Sequence, residues 1–480
     1  MKRTEIHLLV FGSASLVVLA LLGACSMIKP EPPSIVAGRE YFHHRAIGSP
    51  YSTGIPYALW LATMERYPDD LGRNWDKFRE KFGLLKDDDD PNGLPVGFVL
   101  EDDRLSGTKF LMTTCALCHT AKIGDQRIDG LGARDLRLNA LNNTVMGLAA
   151  RRDFTPEALV GASEEIARRG NIPWDWRGRL VTKEAVKQLQ QRASRHVDID
   201  AGPGRNAPLE FTKAVVQVPI EPPFGYVRFH PVWTYGKRQS FGSDGVMTGN
   251  LALAAALVEF NKGMSPYDIV RHRVRFDSIY EYLTTVRPPP YPGQAAPILA
   301  DRGHRHFLQR CAGCHGTYGP GTSIRYQERT VPLSEIGTDP DRLRVVTPEL
   351  VAAFDRTPLG KRAPMKPTDG YIARPLDGIW CRGPYLHNGA VPTLDDLLRP
   401  ARERPVKFHV GGHTGYDLDR LGLSYEEEFL PDGRRTARLA SPPQFEFDTM
   451  APGNSNLGHE FGTDLSAEDR KALIEYLKRL

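Results

Sequence analysis

The sequence is poor in cysteine, with six in 480 residues. That is too few for an exported chain held together by disulfides. Charge of one sign is lacking too: 62 Lys and Arg stand against 58 Asp and Glu, a net charge of +4. No nucleic acid or other polyanion is expected as a partner on that balance. No short internal period recurs, which sets aside solenoids and propellers. After residue 23 no apolar run approaches the length of a membrane-spanning helix.

Glycine and proline are abundant, at 45 and 38 residues. Both interrupt helices and strands, so the expected fold is mainly α, loop-rich and divided into more than one domain. The one long apolar run, "LLVFGSASLVVLALLG", follows Lys2 and Arg3 and leads into Leu22-Gly23-Ala24-Cys25. Its charge and length predict an export signal over residues 1–24.

Cysteine placement carries the chemistry. Cys115, Cys118 and His119 form "CALCH", and Cys311, Cys314 and His315 form "CAGCH". A zinc ribbon closes two C-x-x-C knuckles on one metal, normally about 15–20 residues apart; these two lie about two hundred residues apart. A thioredoxin-like dithiol has no use for a histidine at the next position, least of all twice. Haem c remains. On the first turn of a helix, residues i, i+3 and i+4 share a face, so two thioethers and one axial imidazole reach the same porphyrin. Two covalently bound haem c groups are therefore expected, with His119 and His315 as proximal iron ligands.

The chain divides at its punctuation. Residues 25–100 read as a linker and N-terminal extension, 101–290 as a first haem domain and 294–480 as a second, with "RPPPYPG" at 287–293 as a semi-rigid connector. Helices are predicted at "EALVGASEEIARR", "KEAVKQLQQRASRHV" and the C-terminal "LSAEDRKALIEYLKRL". In the last, Ser466 and Asp469 begin a capping-box-like start, and Leu473, Leu477 and Leu480 recur on one face.

Other metal signals are weaker. Asp88, Asp90, Asn92 and Gly93 have EF-hand spacing, but Val99 stands where a bidentate glutamate is needed, so calcium stays possible but unsupported and a solvated acidic loop is expected. His409 and His413 lack a third ligand nearby, and His43 with His44 read as an exposed pair in a loop. Cys381 beside Trp380 reads as a small buried hydrophobe.

The two haem motifs, together with "NGLPVGF", "GPGRNAPLEFTKAV", "CAGCHGTYGPG", "GYIARPLDGIWCRGPYLHNG", "GPYLHNGAVPTLDDLL" and "GNSNLGHEFGTDLS", resemble the bacterial di-haem cytochrome c peroxidase superfamily, and within it the rubber oxygenase-like branch. Phe307 and Gly303 before Cys311 follow the pattern of the first helix of cytochrome c domains, while Gly107 and Phe110 are spaced differently before Cys115. The resemblance implies two cytochrome c-like domains with a division of labour. A first haem with an open or weakly ligated far side is fed electrons by the second, in a peroxidase-like oxidoreductase whose donor is a small cytochrome c or cupredoxin. The alternatives are a non-catalytic electron-transfer lipoprotein and an oxygenase cleaving an alkene. Residues 22–25 resemble a lipobox, which implies lipidation of Cys25 and a membrane tether; Ser26 implies the outer membrane, on its periplasmic side.

By the same likeness His387 is the second axial ligand opposite His315. Read from the residues alone, it equally well bonds to backbone or to a haem propionate, and Tyr371 and Met365 compete for the iron. Relatives often carry Trp-Asp-Gly as an electron relay, where this chain has Ser243-Asp244-Gly245; Trp233 is a substitute relay or simple packing. Glu210 is the one named candidate for moving a catalytic proton, against the plainer reading of a solvated carboxylate. Were His230 to reach the first iron, both haems would be closed and the chain an electron carrier.

Overall fold

The computed structural model describes residues 31–319, 323–412, 415–438 and 445–480. Cys25, the export signal and His413 lie outside them. The described chain is mostly helical and loop-rich, with short antiparallel pairs rather than an extended sheet.

The N-terminal extension is built into the body. Helix α1 (Pro33–His43) packs on helix α7, introduced below, through Gly38, where a Cβ would meet the Ser278 carbonyl oxygen at 2.0 Å. His43 ends this helix, and its Nε2 lies 3.1 Å from the Tyr282 hydroxyl. The pair expected as an exposed loop is thus half helical and partly packed. Helix α2 (Tyr57–Arg66) buries most of its residues against α3 (Pro156–Arg169), while α4 (Trp176–Ala193) packs beside α3. Between α2 and α3 in sequence runs the hairpin β1 (Phe98–Asp103) and β2 (Thr108–Thr113), then β3 (Thr120–Ile123) paired with β4 (Gln126–Asp129). Helices α5 (Pro208–Val216), α6 (Leu257–Asn261) and α7 (Arg273–Thr285) complete the first half.

The second half begins with α8 (Pro297–Arg310) and the one-turn α9 (Ala312–His315), passes through the pair β5 (Arg329–Pro332) and β6 (Gly370–Ala373), and ends in α10 (Ala467–Leu477). The predicted C-terminal stripe packs as expected. Ser466 caps α10 through the Asp469 N–H at 3.1 Å, and Leu473 and Leu477 are buried beside Phe307 of α8. Gly303 lets the two helices touch, because a Cβ there would sit 1.9 Å from the Ala472 carbonyl oxygen.

The halves share their cores. One apolar cluster joins Leu209, Met247 and Phe260 to Val345, Phe354 and Met365; another joins Ile128, Leu131 and Trp233 to Phe307, Trp380 and Leu473. The proline run is fastened rather than left as a spacer. Trp380 Nε1 donates to the Pro289 carbonyl at 3.0 Å, and Tyr291 stands edge-on to Trp380 at 5.8 Å.

Substituting Gly303→Ala forces α8 and α10 apart. Thermal and urea unfolding are expected to show a loss of about 3 kcal/mol, the scale of a core overpacking that the backbone must absorb.

Candidate functional site

The two C-x-x-C-H segments sit in different surroundings. The second lies where a helix-borne motif was predicted, at the end of α8 and in α9. The first does not: Cys115–Leu117 form a 3₁₀ turn at the end of strand β2, and the chain leaves directly into β3. Glycine makes room for it. Gly97 has φ +82°, and a Cβ on it would lie 2.2 Å from the Leu117 nitrogen; its carbonyl accepts from the Thr114 N–H at 2.8 Å.

The local hydrogen bonding is nonetheless the same in both. The Cys115 carbonyl accepts from Cys118 and His119 N–H at 3.3 and 3.1 Å, and the Cys311 carbonyl from Cys314 and His315 N–H at 3.1 and 2.9 Å. Two unlike frames close the same five-residue turn, bringing both cysteines and the histidine to one side.

Each histidine is also held from behind. His119 Nδ1 lies 3.0 Å from the His230 carbonyl oxygen, and His315 Nδ1 lies 2.7 Å from that of Arg374. A carbonyl only accepts, so each Nδ1 carries the proton and each Nε2 keeps its lone pair for a metal. Burial pushes the His119 imidazole down to about 4 and His315 downward as well, which keeps both neutral. Burial pushes the Cys115, Cys118 and Cys311 thiols up to about 12. A redox dithiol or a zinc thiolate needs the opposite shift, whereas a thioether sulfur is neutral and suits a buried position. Among the described residues no three His, Cys, Asp or Glu side chains converge as a metal cage requires.

An interior of unbalanced positive charge lies between the motifs. Arg382 is buried and donates to the carbonyls of Pro375, at 2.8 Å, and Asp377; Arg228 donates to those of Arg382 and Pro384. Arg238 has Glu328 at 3.3 Å and Arg342 has Asp244 at 2.9 Å. The guanidinium of Arg374 is held well below its usual range by burial and by Arg238, Arg228 and Arg382. Buried charge of one sign calls for anions, and haem brings carboxylates of its own. The residues present therefore fit haem c at both turns.

Several expected site residues fall elsewhere than predicted. Glu210 is no solvated carboxylate: it is 1% exposed, its Oε1 accepts from the Gly225 N–H at 2.6 Å, and its Oε2 is buried without a partner. The His230 main chain stands behind His119, its carbonyl facing Nδ1, while its own ring is buried with Nε2 unpartnered. Met365 packs with Met247 in the core shared by the halves, away from the cluster around Cys314. Tyr371 belongs to that cluster. The His387 ring lies flat on Tyr371, centroids 4.0 Å apart at 19°, and burial pushes it down to about 3. Trp233 is buried and bonds to the Asp377 carbonyl at 2.8 Å; Cys381 is buried, as predicted. The acidic loop is spent on local partners: Asp87 with Arg127, Asp88 with Lys86, and Asp90 with the Asn92 N–H. His409 approaches only Glu446, at 3.8 Å.

Two residues escaped the sequence reading. The His459 ring centroid is 6.3 Å from that of His315, at 43°, and the residue adopts φ +48°. Two imidazoles on opposite sides of one iron stand roughly 6 Å apart, from metal–nitrogen bonds of about 2 Å and the ring radii. Left-handed backbone at a non-glycine residue is the strain that marks functional positions. Glu259 of α6 is the other, 7% exposed and beside Cys115, with Oε1 on Lys262 at 2.8 Å and Oε2 buried and unpartnered. A histidine within "GNSNLGHEFGTDLS" was a visible signal; nothing in sequence pointed to Glu259.

Comparison with known proteins gives one family match and two relatives. Residues 370–409 match the RoxA-like, cytochrome c-like family, a segment that carries Tyr371, Arg374 and His387. An uncharacterized protein of Sinorhizobium fredii, y4iJ, is 28% identical over 92% of this chain and 91% of its own length. Another from the same organism, y4iM, is 30% identical over 54% of this chain and 66% of its own. The chain thus carries a cytochrome c-like region of the RoxA-like kind, and that region implies haem c.

Gly97→Ala tests the first turn. Haem content by pyridine haemochrome is expected to fall below that of the unaltered chain without vanishing, because the Cys115 turn is displaced while the α8–α9 turn is untouched.

Proposed function

We propose that this chain is an exported, lipid-anchored di-haem c-type cytochrome that carries out peroxidase-like oxidoreduction at its first haem with electrons supplied through the second. The observation that carries the reading is the repeated turn, in which two cysteines and a neutral histidine, held by a carbonyl behind it, face one side. In this reading Cys115 and Cys118 attach the first haem with His119 on its iron, and Cys311 and Cys314 attach the second with His315 on its iron. When bound, haem c supplies an iron that exchanges single electrons and, where one side is free, takes up a small oxidant.

The chain's own groups set which iron is free. His459 lies 6.3 Å from His315 between ring centroids, so it, in place of His387, would hold the second haem together with His315. The His230 carbonyl backs His119 on its Nδ1 side, and in this reading the far side of the first iron is open, which favours an enzyme over an electron carrier. Glu210, with one oxygen tied to Gly225 and the other unpartnered, is the candidate for proton transfer in the reduction of a peroxide. Arginines 228, 374 and 382 hold the haem carboxylates in the seam between the halves. Export, the lipid on Cys25 and a small cytochrome c or cupredoxin as donor complete the proposal.

Low-temperature EPR of the purified protein tests it. A high-spin ferric signal is expected from the first haem, oxidised or half-reduced, together with a low-spin signal from the second. His459→Ala is expected to turn the second haem high-spin, and His387→Ala to leave it low-spin. Low-spin signals alone in both states would mean two closed irons and an electron carrier.

A further inference from the structure

The two turns are connected by a line of hydrogen bonds, covalent bonds and one ring stack that passes through His387. His119 Nδ1 donates to the His230 carbonyl at 3.0 Å. Two residues earlier on the same short stretch, the Arg228 N–H donates to the His387 carbonyl at 2.9 Å. The His387 ring is stacked on Tyr371 at 4.0 Å and 19°. Tyr371 lies in β6, and three residues further along the chain the Arg374 carbonyl accepts from His315 Nδ1 at 2.7 Å.

Each joint is fixed by packing. Leu386 has φ +66° and delivers His387 at a tight turn, where Asn388, fully buried, donates to the carbonyls of Gly453 and Ser455 at 3.2 and 3.1 Å. Tyr371 donates its hydroxyl to the Asp339 carbonyl at 2.5 Å and sits opposite Val331 in the β5–β6 pair. Gly132 brings the first hairpin against the Phe229 carbonyl, where a Cβ would lie 1.9 Å from the oxygen. The Ser243-Asp244-Gly245 segment braces the same strand, since the Ile372 N–H donates to the Ser243 carbonyl at 2.9 Å. A serine there offers no ring to conduct through. The stacked pair His387 and Tyr371 does.

We infer that electrons cross between the two haem centres through the proximal imidazoles and this stacked pair, in the order His315, Arg374 backbone, Tyr371, His387, Arg228–His230 backbone, His119. The inference rests on the di-haem reading above and assigns His387 a conducting role in place of a ligating one. The path carries one electron at a time: the donor iron goes from ferrous to ferric, the acceptor iron from ferric to ferrous, and no atom or proton moves along it. Because the route enters each iron through a histidine held by a carbonyl of its own half, disturbing the stack is expected to slow transfer without altering either iron's surroundings.

Pulse radiolysis of the holoprotein, following both haem absorption bands after one-electron reduction, reads the equilibration directly. His387→Leu and Tyr371→Leu are expected to lose most of the rate, and Tyr371→Phe to keep it, with the midpoint potentials and the low-spin EPR signal of the second haem unchanged in all three. An unchanged rate in both leucine variants overturns the inference. So does a His387→Leu second haem that turns high-spin, or a rate lost in Trp233→Phe and kept in His387→Leu. Fewer than two haems per chain would overturn the di-haem reading itself, and this inference with it.

Discussion

Among the described residues a hydrogen bond from a histidine Nδ1 to a main-chain carbonyl occurs once in each half, and both halves are arranged around it. The bond settles which nitrogen carries the proton and leaves the other free to bind a metal. Neither carbonyl is local: His230 is 111 residues from His119, and Arg374 is 59 from His315. Each must be delivered by tertiary structure. The Val232 N–H to Gly130 bond and the Phe229 N–H to Gly204 bond place the first, and the β5–β6 ladder places the second. Shared cores across the proline run then fix the two arrangements relative to each other.

Positive charge is the second constraint. Arg228, Arg374 and Arg382 are gathered in the seam beside those carbonyls, where burial lowers every one of them. An interior of this kind is costly until carboxylates enter it. Haem propionates would balance it, so the loaded chain is expected to be the stable one, and the arginines act as part of the framework as much as of the site.

What could be read from sequence follows the range of the interactions. The C-x-x-C-H turns are closed by bonds between residues three and four apart, so their spacing was enough to name Cys115, Cys118, His119, Cys311, Cys314 and His315. The α8–α10 contact was legible because Gly303, Phe307 and the Leu473 stripe keep helical spacing. Long-range choices were not. The first turn rides on a strand because Gly97 opens space for Leu117, a contact between loops that no periodicity records. Glu210 reads as an ordinary helix-surface carboxylate until the Gly225 N–H is found above it. His387 and His459 are each one histidine in a glycine-rich loop, and only the tertiary distances, 4.0 Å to Tyr371 for one and 6.3 Å to His315 for the other, separate their roles.

The central claim is that two separate turns each carry a covalently attached haem. Intact mass of the purified protein under denaturing, reducing conditions, followed by peptide mapping, tests it most directly. The account predicts a chain heavier by two haems, with one on the peptide holding Cys115 and Cys118 and one on that holding Cys311 and Cys314. A chain of unmodified mass, with all four thiols free to alkylation, would contradict it.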